Sequence, residues 1–75
     1  MKFVDVTKEV LTNKDEYNYY NVIDLWVIYE WRGEWIAFTT APSKASADHY
    51  INDFMRSSHS KWKCEKRYFK YVKEN

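Results

Sequence analysis

The sequence predicts an α+β fold: a small antiparallel sheet of about four strands, in the order β-β-β-α-β, with one helix packed on one face. Three observations carry that expectation. Fifteen of the 75 residues are Phe, Tyr or Trp, and rings favour a pleated, half-buried surface. The single glycine, Gly33, sits midway between two aromatic-rich runs, where a hairpin needs positive φ. One stretch after Pro42 switches from alternating to helical spacing.

Taken in order, Lys2–Leu11 alternates, with Val4, Val6 and Val10 on one side, and predicts a first strand with one apolar face. Asn13 and Asp15 lie in a run, Thr12–Glu16, with turn chemistry, since short polar side chains bond their own backbone. Most of 17–31 is β-branched or aromatic and predicts a second strand. A two-residue loop at Arg32-Gly33 would pair Glu30 with Trp35 and Tyr29 with Ile36. The expected core face then carries Leu25, Val27, Tyr29, Trp31, Ile36 and Phe38, completed by Ile51 and Phe54 of the helix. The other face carries Trp26, Ile28, Trp35 and Ala37 with Asp24 and Glu30.

Ser43, just after Pro42, is suited to cap a helix running from Ala45 to about Ser57. Ala47, Ile51, Phe54 and Met55 form its apolar stripe, Tyr50 lies at the edge, and Lys44, Asp48, Asn52 and Arg56 face water. Lys61–Lys73 fits either a strand or a helix, and its aromatic enrichment favours the strand. No repeat, low-complexity tract or linker interrupts the chain, so residues 1–75 are expected to form one domain.

Composition excludes most chemistry. Gly33 alone cannot build a phosphate-cradling loop. One cysteine and two histidines ten residues apart do not make a zinc site, and Asp15-Glu16 lacks a calcium-loop pattern, so neither metal nor cofactor is expected. Cys64 lies near Lys63, Lys66 and Arg67, which could favour a thiolate, but between Trp62 and Tyr68 it is expected to be a small core hydrophobe. His49 and Asp53, four apart on the helix, match an ordinary surface pair. The chain is therefore not expected to be an enzyme. Met1–Asp5 lacks a leader pattern, Leu25–Tyr29 is too short to span a bilayer, and the cysteine is unpaired, which together predict a cytoplasmic protein.

Charge is unevenly distributed. Residues 1–55 carry net −4 and residues 56–75 net +5. Within the molecule, that polarity predicts charges pairing across a sheet; towards a partner, it predicts a basic surface. Two candidate sites follow. The first is a protein-binding face on the aromatic hairpin, comprising Trp26, Glu30, Arg32 and Trp35, because Trp and Arg dominate interface hot spots. The alternative is a nucleic-acid-binding strand that interleaves charge with rings: Lys61, Lys63, Lys66, Arg67, Phe69, Lys70 and Tyr71.

The small size and high Lys, Asn, Tyr and Ile content resemble accessory proteins of bacteriophages and mobile elements of low-GC bacteria. The resemblance is one of style, without a motif, and transfers no functional residue. It implies a non-enzymatic inhibitor of a host enzyme or defence protein. A protein partner is thus expected first, a nucleic acid second, with self-association open and no membrane involved.

Overall fold

The computed structural model describes residues 2–73. The chain runs β1 (Lys2–Asp5), α1 (Thr7–Thr12), β2 (Val22–Trp31), β3 (Trp35–Ala41), α2 (Lys44–Ser57) and β4 (Trp62–Val72). The strands form one antiparallel sheet in the order β1-β4-β2-β3. The fold is α+β as the sequence predicts, with the short helix α1 added and Lys61–Lys73 resolved as a strand. Leu25–Lys66 form one compact unit and the remaining described residues another, with β2 and β4 contributing to both.

In the unit outside Leu25–Lys66, β1 pairs with the end of β4, from Lys2 opposite Val72 to Asp5 opposite Phe69. The expected strand over Lys2–Leu11 stops at Asp5, because Asp5 Oδ1 accepts both the Thr7 amide (2.9 Å) and the Thr7 hydroxyl (2.6 Å). That local capture turns the backbone away from the ladder and into α1. Val6 and Val10 are four apart, a spacing that serves a helix as well as a strand, and Val10 becomes fully buried. The chain re-enters the sheet after Asn21, whose φ of +60° is tolerated best by asparagine among residues with a side chain. The second strand accordingly starts at Val22.

In the Leu25–Lys66 unit, β2 and β3 form the hairpin, but the loop has three residues, Arg32–Glu34, and Trp31 faces Trp35. Gly33 does take positive φ, +79°, and the Arg32 amide donates to the Glu34 carbonyl (2.9 Å). The expected pairs nearest the turn therefore shift by one: Glu30 faces Ile36, not Trp35, and Tyr29 faces Ala37. A bulge follows at Phe38, after which Ile28 faces Thr39.

Helix α2 begins where expected, with Ser43 Oγ accepting the Ser46 amide at 3.2 Å. It covers the face of β2 that had been expected to stay open. Ile28, Ala41 and Ala47 are buried together, and Trp26, Ile51, Phe54, Trp62 and Cys64 pack against them. Of the expected core, Val27 is buried and Tyr29, Ile51 and Phe54 are half-buried, whereas Ile36 and Phe38 are 43% and 54% exposed. Two alanines, Ala41 and Ala47, let helix and sheet approach closely there, and that packing selects the face.

None of the fifteen aromatic residues is fully buried. Rings meet at half-exposed sites instead, as where Phe54 lies 4.7 Å from Trp62 and Phe38 stands edge-on to both.

Candidate functional site

The hairpin gathers an aromatic surface around one cation. Trp31 and Trp35 pack edge to face, with centroids 5.2 Å apart, and remain 42% and 37% exposed. Lys63 lies across from them on β4, its Nζ 4.7 Å from the Trp35 ring and 5.4 Å from the Tyr29 ring. Glu65 Oε1 accepts from the same ammonium at 3.0 Å. Alternation along β2 directs Tyr29 and Trp31 away from Ile28, hence away from α2. The outcome is a pre-ordered platform of rings, with an ammonium fixed by two ring faces and a carboxylate.

The residues expected to bind a protein divide. Trp35 stands on this platform. Trp26 packs against the Ile28 cluster on the α2 side and does not share a face with Trp35. Glu30, 7% exposed, accepts from Arg32 Nε at 2.6 Å, which leaves Arg32 exposed near the hairpin tip as a positioned charge. Trp31, which parity had assigned to the core, belongs to the site, and its partnership with Trp35 follows from the third loop residue.

The residues expected to bind nucleic acid are dispersed. In the Leu25–Lys66 unit, Lys63 is engaged on the aromatic platform, Lys61 gives its carbonyl to the Trp31 amide, and Lys66 has the opposite strand parity to Lys63. In the other unit, Arg67 places Nε and Nη2 on Asp5 Oδ2 (3.1 and 2.8 Å). There Tyr71 packs edge-on against Phe3 at 5.5 Å, Phe69 faces Asp5, and Lys70 faces Val4. Lys63 and Lys66 differ in strand parity, as do Arg67 and Lys70. Part of the charge polarity is spent within the fold, since Arg67–Asp5 joins the basic strand to the acidic segment.

No catalytic constellation emerges from the cysteine or the histidine pair. Burial first, then the neighbouring Asp48 carboxylate, pushes the Cys64 thiol above its ordinary value. Its Sγ is 3.9 Å from Asp48 Oδ1, so the thiol form is favoured and the nucleophilic thiolate is not. His49 and Asp53 lie 3.6 Å apart on the exposed side of α2. An open hollow of about 470 Å³ beside α1 is lined by Lys8, Glu9, Thr12, Asn13 and Tyr17. Among the described residues no group of three or more His, Cys, Asp or Glu could hold a metal ion, and no helix is long and apolar enough to cross a membrane.

No protein family matches the chain, and no curated protein or solved structure matches it.

Proposed function

We propose that this chain is a small non-enzymatic binding protein that engages a protein partner through the platform of Tyr29, Trp31 and Trp35, with Arg32 at its rim. The observation that carries this reading is the exposed Trp31–Trp35 pair, held edge to face beside an immobilised Lys63. Large rings fixed in advance lose little conformational freedom on docking, and their burial supplies most of an interface's affinity. The composition suggests the role: a cytoplasmic inhibitor of the kind that phages and mobile elements direct at host enzymes or defence proteins.

Affinity capture from host lysate, with and without nuclease, followed by titration of the recovered partner, tests the proposal. Trp31→Ala and Trp35→Ala should each weaken binding by about 2 kcal/mol while the circular dichroism is retained. Added salt should matter little. Nuclease-sensitive capture that survives both substitutions, with a salt slope of roughly 0.7–0.9 per phosphate, would transfer the function to the lysines of β4.

A further inference from the structure

Lys63 fills a cage whose chemistry is that of an ammonium site. Its Nζ stands 4.7 Å from the Trp35 ring centroid and 5.4 Å from that of Tyr29, both within the range over which a ring face attracts a cation. Glu65 Oε1 closes a third side at 3.0 Å. Trp31 braces the cage by packing edge to face against Trp35. The mouth is open to solvent, since the side chains of Lys63 and Glu65 are 36% and 43% exposed.

The occupant is exchangeable. At an exposed site a ring contact and an ion pair each contribute little, and a four-methylene side chain gives up rotamer freedom to make them. The primary ammonium of lysine is strongly hydrated, whereas an alkylated ammonium leaves water more readily and suits ring faces better. The stem of Lys63 is long enough to carry its charge out to water when a partner covers the rings. Two ring faces and a carboxylate then remain, a lining that attracts a cation and repels an anion.

We propose that Tyr29, Trp35 and Glu65 form a subsite for an alkylammonium group, that of a lysine side chain of the protein partner, and that Lys63 is a built-in competitor which fills it until the partner docks. This rests on the reading of the platform as a protein-binding surface and specifies what the partner inserts there. Lys63 is thus an autoinhibitory contact, and removing it should strengthen binding.

Tetramethylammonium chloride, titrated against sodium chloride at equal ionic strength and followed by the indole N–H resonance of Trp35, tests the cage without a partner. The unaltered protein should bind it with a Kd of about 10–100 mM. Lys63→Ala should bind about 3–10-fold tighter, the factor by which the internal lysine depletes the open state. Adding Trp35→Leu or Glu65→Gln to Lys63→Ala should remove that gain. Shifts that sodium reproduces, or an affinity in Lys63→Ala no tighter than the parent's, would overturn the proposal. Should Lys63→Ala fail to fold, the unaltered protein decides: the Lys63 Hε signals, displaced by the ring currents of Tyr29 and Trp35, should move towards those of free lysine as tetramethylammonium is added, and signals that stay in place overturn it equally. A captured partner separates the two readings. Binding that weakens with Trp31→Ala but does not strengthen with Lys63→Ala keeps the platform and rejects the cage, whereas ammonium binding without any captured partner keeps the cage and rejects the platform.

Discussion

Arg67 grips Asp5 through two nitrogens on one carboxylate oxygen, at 3.1 and 2.8 Å, and so ties β4 to the end of β1 across 62 positions of sequence. The same carboxylate, through Oδ1, holds the amide and hydroxyl of Thr7 and thereby starts α1. One side chain thus ends a strand, begins a helix and pairs with one cation of a basic strand.

Asp5 should make stability depend on pH in the acid range. Burial, the largest single influence, pushes its carboxyl up, but the Thr7 hydroxyl and amide and the Arg67 guanidinium together hold it below the ordinary 3.8. A depressed folded-state value means stabilisation that is complete above the unfolded value of about 4 and is lost as pH falls through the folded value. Asp5→Asn keeps an acceptor for Thr7 and removes the charge. Its melting temperature should be lower at pH 7, and the gap to the parent protein should close below about pH 4.

Gly33 should resist substitution for reasons of backbone alone. A Cβ there would meet nothing within 4 Å, yet φ is +79°. Gly33→Val should cost about 1 kcal/mol or more, and Gly33→Asn clearly less, in urea unfolding. Equal losses for the two would mean that the penalty is steric.

The face that α2 covers can be read from two isoleucines. Ile28 is fully buried and Ile36 is 43% exposed. Ile28→Ala should cost roughly 2–5 kcal/mol, enough to unfold much of so small a domain, and Ile36→Ala under about 1. The reverse order would place the helix on the other face.

Cys64 should be a slow thiol. With burial and Asp48 both favouring its protonated form, alkylation at pH 7–8 should lag behind that of a free cysteine, and Asp48→Asn should quicken it. Labelling faster than the free amino acid would contradict the packing described for it.

Local signals were legible and pairwise ones were not. Ser43 caps α2 because its side chain and the Ser46 amide that donates to it lie within one turn, and such information resides in the sequence. Gly33 marks the hairpin, but two- and three-residue loops both accommodate it, and one residue of difference moves Trp35 onto the face of Trp31. β2 is apolar on both sides, with Leu25 and Val27 against Trp26 and Ile28, so alternation could not say which side α2 would choose. Lys63 reached the platform because β4 inserts beside β2, an adjacency that no short-range pattern encodes. Val6 and Val10 satisfied two periods at once, and the Asp5–Thr7 contact decided between them.

The strand order also fixes a sequence of assembly. The β2–β3 ladder needs only the three residues Arg32–Glu34 to close, whereas β1 finds its place only when Lys2 meets Val72. Closing a loop of about sixty residues costs roughly 3 kcal/mol more chain entropy than closing one of three. The hairpin is therefore the natural nucleus, and the pairing of β1 with β4 comes late and at the slow pace of non-local contacts. Until it forms, β4 is itself an open edge. During synthesis the aromatic hairpin can fold well before the strand that seals the opposite side of the sheet has a partner.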